Sequence, residues 1–311
     1  MFHYIARRMV QMLPVLIGIT LVAFILMNLV PGTAISMMMD PRAAPLPADV
    51  EARLLEHYGF TDPLPIRYLK FLGNALRGNL GFSFRFNQLV SIIVLERLPP
   101  TMLLAFTSGT LAVLLGVFLG ILAALHRGRI LDSFSMVFGL AGASMPVFWF
   151  GILLMFLFSV RLGWLPASGW GSGSVSHLIL PTLALGYGFA AIIARVTRSS
   201  MLEVLSMDYI VTARSKGLSE RMVVYKHALK NALIPVITVI GGQVGRLLSG
   251  AVLTETVFSW PGLGRLLVDS IQHRDLPTVQ GSLIFVAFVF VLVNLVTDLT
   301  YAFLDPRVRF E

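Results

Sequence analysis

Long apolar stretches separated by shorter polar segments dominate the chain. Six of them reach the length that an α-helix needs to cross a hydrocarbon core about 30 Å thick, which is about 20 residues. They cover residues 9–30, 101–125, 133–160, 178–194, 231–254 and 276–297. No strand-like alternation of apolar and polar residues is seen, and a backbone group inside lipid has no water to pair with. The pattern predicts an all-α polytopic membrane protein with about six transmembrane helices.

Composition agrees with that class. Hydrophobic residues make up 56% of the 311 residues and charged residues only 13%, whereas soluble domains are about 45–50% apolar. The first apolar stretch follows Arg7 and Arg8. It is longer than the apolar core of a signal peptide, about 7–15 residues, and no small-residue cleavage pattern follows it. We therefore expect a retained first helix.

Positive charge is distributed unevenly between alternate loops. Residues 1–8, 126–132, 195–230 and 305–311 together hold 13 Lys and Arg in 58 positions. The short loops of the other compartment, 161–177 and 255–275, hold 3 in 38. Because cytoplasmic loops retain Lys and Arg, both termini are predicted to be cytoplasmic.

The long segment 31–100 is nearly neutral, with 7 Lys and Arg against 6 Asp and Glu, which agrees with an outer location. One short helix is predicted from Pro47 to Gly59 and another from Pro65, followed by turn chemistry over 78–83. This segment either connects two spans along the membrane surface or contacts an external partner. The pattern alone leaves both open.

The most basic part of the chain, residues 209–235, lies between the fourth and fifth spans. Gly217 suits the end of one helix and Ser219 the start of the next, which predicts two short helices near 203–216 and 220–232. The first is amphipathic. It either presents a face to a partner protein or lies on anionic lipid.

The pI of about 10.2 does not indicate nucleic-acid binding, since the excess charge flanks apolar spans, where membrane lipid and topology explain it. No phosphate-binding loop, zinc-hydrolase motif or serine-nucleophile motif occurs. Cysteine is absent, and all six histidines lie outside the predicted apolar cores. We expect neither catalysis nor a metal site nor a bound cofactor in this chain.

Small residues recur at helical spacing in two spans, as Gly116 and Gly120 and as Gly241, Gly245 and Ser249. Such spacing lets helix backbones approach closely. Packing within the bundle is the expected role, with lining of a substrate path as the alternative.

One charged residue lies deep within a predicted span. Burying the Arg246 guanidinium in lipid is costly, so it is expected to face a water-filled passage or a carboxylate partner. Glu255 follows the outer end of the same span, and Trp260 begins a turn with Pro261 and Gly262. Arg246, Glu255 and Trp260 are therefore the candidate residues of a translocation pathway and its gate.

Several stretches together resemble a known family. They are RRMVQMLPVLIGITLVAFILMNLVPGTA at 7–34, VTARSKGLSE at 211–220, KHALKNALIP at 226–235, ETVFSWPGLGRLLVDSIQHRDLPTVQG at 255–281 and LDPRVR at 304–309. They are similar to the inner-membrane permease subunits of ABC importers, in the oligopeptide and dipeptide branch. The likeness extends over nearly the whole chain.

This resemblance implies a set of partners and a location. The chain is expected to pair with a second homologous permease subunit, two cytoplasmic ABC ATPase subunits and a periplasmic or lipid-anchored solute-binding protein. ATP and Mg would be bound by the ATPase subunits. The complex would lie in the inner (plasma) membrane of a bacterium, with this chain acting as a transport subunit and not as an enzyme.

The resemblance also implies how the chain is organised. It would consist of a first helix with a long periplasmic segment (1–100), a permease bundle (101–304) that contains a coupling loop at 198–232, and a cytoplasmic tail (305–311). A coupling helix around 207–216 would rest in a cleft of an ATPase subunit. The residues expected to couple to the ATPase are Met207, Asp208, Tyr209, Thr212, Ala213, Arg214, Lys216 and Gly217.

The sequence departs from the family's pattern at two points. The loop motif of such importers opens with Glu-Ala-Ala, whereas Val211, Thr212 and Ala213 stand here, so no carboxylate is available for a salt bridge. Asn79 replaces an Asp that is common in this branch. Neither departure conflicts with the family.

Several functions remain as alternatives. Short peptides are the favoured substrate of such a permease, with glutathione and nickel chelates as alternatives. An ion-coupled secondary transporter would need broken helices and ionisable residues near the membrane midplane. A membrane-embedded enzyme would need a polar catalytic cluster within the spans, and none is seen.

Overall fold

The computed structural model describes residues 2–29, 62–83 and 85–304, and it is almost wholly helical over them. The helix predicted over 47–59 and the tail 305–311 lie outside the described residues. The helices are α1 (Phe2–Leu29), α2 (Leu64–Leu76), α3 (Val90–Leu125), α4 (Ile130–Ser144), α5 (Val147–Arg161), α6 (Val175–Leu205), α7 (Asp208–Ser215), α8 (Glu220–Val257), α9 (Leu263–Gln272) and α10 (Leu276–Leu304). The all-α polytopic class is confirmed.

Five helices are long and apolar enough to cross a membrane: α1, α3, α6, α8 and α10. The sixth candidate is the pair α4 and α5, which bend by 107° at a short break. The prediction of one helix over 133–160 is therefore wrong, because this stretch forms two helices that meet at a bend. Pro146 provides the physical reason, because it lacks an N–H and disfavours helical backbone at Met145, whose φ of −85° and ψ of 133° are extended.

Several helices extend past the predicted spans. Helix α3 begins at Val90 and continues through Pro99 and Pro100, although hydropathy places the start of the span at residue 101. Helix α6 continues to Leu205, beyond the predicted end at 194. Hydropathy marks where a helix leaves the apolar layer, whereas backbone hydrogen bonds continue into the polar region.

The chain divides into two compact units. The first unit comprises Met1–Pro99 and Pro261–Leu295, and the second comprises Pro100–Trp260 and Val296–Glu311. Each is described by itself below.

In the first unit, α2 packs against α1. Phe24 contacts Tyr68 edge-on, and the hydroxyl groups of Thr20 and Tyr68 lie 2.9 Å apart. The helix predicted from Pro65 is thus confirmed. The turn segment is followed by an antiparallel hairpin of β1 (Phe82–Ser83) and β2 (Gln88–Leu89), which the sequence did not predict.

A buried carboxylate anchors this hairpin to the start of α10. The hydroxyl of Ser83 donates a hydrogen bond of 2.5 Å to Oδ2 of Asp275, and the hydroxyl of Thr278 donates one of 2.7 Å to the same oxygen. Asp275 is only 8% exposed. Because burial of an unpaired carboxylate is costly, these two donors hold the hairpin in place.

In the second unit, α6 packs against α3, α4, α5 and α8, and its buried residues contribute to every core cluster of the unit. Helices α3 and α6 meet at Gly116 and Gly120. A Cβ added at Gly120 would lie 2.5 Å from Cβ of Thr197 and 2.7 Å from the carbonyl oxygen of Ala194. The expected packing role of these two glycines is confirmed, and that of the second small-residue set stays a prediction.

Candidate coupling site and pathway residues

A short turn separates α6 from α7. After Leu205, Ser206 and Met207 leave the helix, and the extended backbone of Met207 (φ −75°, ψ 147°) begins α7. The single helix predicted over 203–216 is therefore interrupted. The interruption makes α7 a separate short helix after α6.

The end of α7 follows the predicted glycine signal. Gly217 has a φ of +77°, a left-handed conformation in which glycine has no steric penalty. Ser219 is extended (φ −63°, ψ 143°) and precedes the next helix, as predicted. That helix, the start of α8, does not end near 232, because a π-helical segment, Val223–Ala228, continues it into Leu229–Val257.

One face of α7 is buried in the bundle. Ile210 is fully buried and Ala213 is 7% exposed. Both belong to a core cluster with Met201 and Val204 of α6 and with Val223 of α8. Ala213, one of the residues predicted to couple to the ATPase, thus packs within the chain, and its coupling role stays a prediction.

The remaining surface of α7 is exposed and partly apolar. Met207, Tyr209 and Val211 are 41%, 39% and 53% exposed. The other exposed residues from the predicted coupling set are Asp208, Thr212, Arg214, Lys216 and Gly217. The sequence analysis did not select Val211, although its spacing of four from Met207 places both on one helix face.

Hydrogen bonds join α7 to the base of α8. The Asn231 side-chain amide donates a 2.8 Å hydrogen bond to the Tyr209 hydroxyl, and that hydroxyl donates a longer one, 3.4 Å, to the carbonyl of His227. The Arg214 guanidinium contacts both carboxylate oxygens of Glu220, at 2.7 and 3.4 Å. The ion pair is exposed and contributes little stability by itself. Together these contacts connect both ends of α7 to α8.

Arg246 lies on α8 with its side chain exposed on the chain's surface. Among the described residues it forms neither a hydrogen bond nor an ion pair. A guanidinium in this position within a span needs water, lipid headgroups, substrate or another subunit as its partner.

Glu255 and Trp260 are in a different environment, since both are fully buried in the second unit. The hydroxyl of Thr101 donates a 2.6 Å hydrogen bond to Oε1 of Glu255. Nε1 of Trp260 donates one of 2.9 Å to the carbonyl of Pro100. Neither side chain reaches the surface of the chain, and their contacts connect the C-terminal end of α8 and the turn after it to α3.

The described residues, 2–29, 62–83 and 85–304, include His, Asp and Glu side chains that could in principle bind a metal ion. They contain no group of three or more His, Asp or Glu side chains arranged to hold a metal ion.

Comparison with solved structures identifies the fold. An inward-facing structure of the MetNI methionine ABC transporter aligns with a TM-score of 0.56 at 18% identity, covering 68% of this chain and 96% of the other. A crystal structure of an amino acid ABC transporter with histidines aligns with a TM-score of 0.53 at 16% identity, covering 70% and 94%. At such identities the likeness shows the fold alone.

Sequence relatives are much closer. The di/tripeptide transport system permease protein DppB of Pseudomonas aeruginosa is 44% identical over the full length of both chains. The glutathione transport system permease protein GsiC of Salmonella paratyphi A is 42% identical, also over both full lengths. The family described as binding-protein-dependent transport system inner membrane component matches residues 116–310. The chain therefore belongs to this family, the inner-membrane permease subunits of ABC importers.

Proposed function

We propose that this chain forms half of the translocation pathway for short peptides in an ATP-driven importer. Its full-length relatives include a protein named as a di/tripeptide permease and one named as a glutathione permease. Glutathione is itself a modified tripeptide, so the substrates in both names are small peptides that carry carboxylate groups. Di- and oligopeptides are the first choice of substrate, glutathione is the second, and nickel chelates are the third.

The exposed face of α7 supports a role in coupling to ATPase subunits. A helix of 8 residues, Asp208–Ser215, is too short to be stable by itself, and its buried face fixes it to the bundle. Met207 and Val211 remain exposed beside Asp208, Thr212 and Lys216. An apolar centre surrounded by polar groups is typical of a protein docking surface. This is the observation on which the proposal depends.

The pathway is proposed to include Arg246 as a binding point for anionic groups. Its exposure within a span and the absence of a partner among the described residues support that role. Glu255 and Trp260 are proposed to act on the gate indirectly, by holding the outer end of α8 against Thr101 and Pro100.

The complete transporter is proposed to contain a second permease subunit, two cytoplasmic ATPases that bind ATP and Mg, and a periplasmic or lipid-anchored solute-binding protein. Both termini of this chain and α7 are assigned to the cytoplasm from the distribution of Lys and Arg. Closure of the ATPases upon ATP binding would then move α7 and shift the pathway between its inward and outward states.

The function is tested by uptake into vesicles that contain the full complex. Labelled dipeptide should accumulate only with ATP and the binding protein, and glutathione should accumulate more slowly. Val211→Asp should lower uptake by at least about tenfold, because it places a charge in the apolar centre of the docking face. The ATPase subunits should copurify poorly with this variant.

Ile130→Asp is the matched control, because Ile130 is 87% exposed in another loop assigned to the cytoplasm. It should leave both uptake and copurification unchanged. Uptake driven by an ion gradient without ATP would contradict the proposal, and so would normal copurification and uptake with Val211→Asp.

A further inference from the structure

A bidentate ion pair connects α4 to α6. Nε of Arg198 donates a 2.6 Å hydrogen bond to Oδ1 of Asp132, and the adjacent guanidinium nitrogen NH2 donates one of 2.8 Å to Oδ2. The backbone N–H of Gly128 donates a third, 2.9 Å long, to Oδ2. Asp132 is only 6% exposed. The two-pronged geometry fixes the relative orientation of the groups as well as their distance.

The two residues lie beside the coupling segment. Arg198 is near the end of α6, and only two residues, Ser206 and Met207, separate the last residue of α6 from the first residue of α7. Met201 and Val204 of α6 share a core cluster with Ile210 of α7. The turns of α6 that follow Arg198 are therefore in direct contact with α7.

Helix α4 contacts α6 at a second place nearer the bend. The Tyr187 hydroxyl of α6 donates a 2.6 Å hydrogen bond to the carbonyl of Phe138 in α4. A Cβ added at Gly142 would lie 2.8 Å from the Tyr187 ring, so the two helices approach closely here. With one contact at Asp132 and the other at Phe138 and Gly142, the axis of α4 is fixed to that of α6.

We propose that Asp132 and Arg198 are positioning residues that make α4, and with it the bend at Pro146, follow the movement of α7 during transport. The proposal rests on the coupling role of α7 proposed above. An apolar contact would join the helices without the desolvation cost of two charges. It would also leave them free to slide, whereas a guanidinium paired to both carboxylate oxygens opposes sliding and rotation.

The first experiment measures transport. Arg198→Gln removes the positive charge and the bidentate hydrogen bonding to Asp132. It should lower uptake about tenfold, which lies within the usual range of coupling between sites. Copurification of the ATPases and basal ATP hydrolysis should stay at the parent level, so more ATP is hydrolysed per molecule transported. Arg198→Lys keeps the charge but loses the bidentate hydrogen bonding, and it should give an intermediate ratio of ATP hydrolysed to substrate transported.

Arg195→Gln is the matched control, because Arg195 lies one turn earlier on α6, is exposed and makes no ion pair among the described residues. It should transport like the parent.

Asp132→Asn serves as a second disruption if Arg198→Gln folds poorly, since it keeps the size of the side chain and removes its charge. It should also raise the ATP consumed per transported molecule.

The second experiment measures the movement itself. The chain has no cysteine, so spin labels attached at Phe134→Cys in α4 and Ser199→Cys in α6 report the distance between these helices. Between the nucleotide-free and ATP-trapped complexes this distance should stay constant to within about 2 Å in the parent, the size of ordinary helix shifts. In the Arg198→Gln variant, the distribution of this distance should become broader, or its mean should change with nucleotide.

Each outcome has a defined meaning. A parent distance that changes strongly with nucleotide, or an Arg198→Gln variant with normal ATP consumption per transported molecule, would overturn the proposal. Loss of ATPase binding and transport together would reduce the pair to a structural role and would also overturn it. Uptake by the parent complex that does not depend on ATP would instead count against the proposed function.

Discussion

Gly217 constrains the chain through its backbone conformation alone. Its φ is +77°, and a Cβ added there would meet nothing within 4 Å. Any penalty for substitution therefore comes from the left-handed conformation, which β-branched residues strongly disfavour and asparagine tolerates.

Gly217→Val is expected to shift α7 relative to α8 and to lower substrate-stimulated ATP hydrolysis, since the turn after α7 must change its geometry. Gly217→Asn should retain most of the activity, because asparagine adopts positive φ at lower cost. The measurement is ATP hydrolysis by the purified complex with and without loaded binding protein. Equal activity of the two variants would show that the left-handed turn has no part in coupling.

Gly120 constrains the chain for the opposite reason, namely space. In a helix interior, Gly→Ala normally stabilises by roughly 0.5–1 kcal/mol. At Gly120 the added Cβ would meet Thr197 and the backbone of Ala194 at under 3 Å, so α3 and α6 must separate. Gly120→Ala should therefore lower the thermal stability of the detergent-purified chain.

Gly18→Ala provides the comparison, since a Cβ at Gly18 of α1 would meet nothing within 4 Å. It should leave the thermal unfolding temperature unchanged or slightly raised. A Gly120→Ala variant as stable as Gly18→Ala would mean that α3 and α6 are not in close backbone contact.

At the scale of elements, hydropathy located the apolar layers well and the helix ends poorly. The start of α3 at Val90 differs from the predicted start at 101 because Glu96, Arg97, Pro99 and Pro100 interrupt the apolar run while the helix continues through them. Local turn chemistry was more reliable, since Gly217 and Ser219 have the expected conformations. Signals that act through the nearest backbone atoms can be read from the sequence.

The bent pair α4 and α5 shows what hydropathy cannot reveal. The stretch around Met145 and Pro146 stays apolar, so the hydropathy profile runs evenly across a 107° bend. Pro146 was the one feature of this stretch that could have indicated the bend. Likewise, Asp132 and Arg198 are 66 residues apart in sequence, and only the packing of α4 against α6 shows that their side chains meet. In the sequence, both residues merely contribute to the charge of their loops.

Ala213 and Val211 illustrate the same limit within one helix. The family resemblance assigned Ala213 to coupling, whereas the structure buries it against α6 and α8 and leaves Val211 exposed. A residue of the predicted coupling motif can thus pack within the fold of the loop itself. The face of a helix of 8 residues depends on where it begins, and the interruption at Ser206 and Met207 was not predicted.

The proposed orientation of the whole molecule sets which surfaces are available to the ATPases and which to the binding protein. If α7 were outside the cell, no cytoplasmic ATPase would reach Val211. No ATPase movement could then reach Asp132 and Arg198 through α7. Both the docking role of α7 and the proposed role of Asp132 and Arg198 therefore depend on the orientation. Because the chain has no cysteine, introduced cysteines can measure it directly.

Single cysteines at strongly exposed positions should report the two sides of the membrane. Leu76 and Ile130 are matched, being 82% and 87% exposed, and the charge distribution assigns them to opposite compartments. A membrane-impermeant maleimide should label Leu76→Cys in intact spheroplasts and Ile130→Cys only after permeabilisation. Ser174→Cys, in the loop between α5 and α6, should behave like Leu76→Cys. Labelling of Ile130→Cys in intact spheroplasts, with Leu76→Cys protected, would invert the topology and remove the docking face from the ATPases.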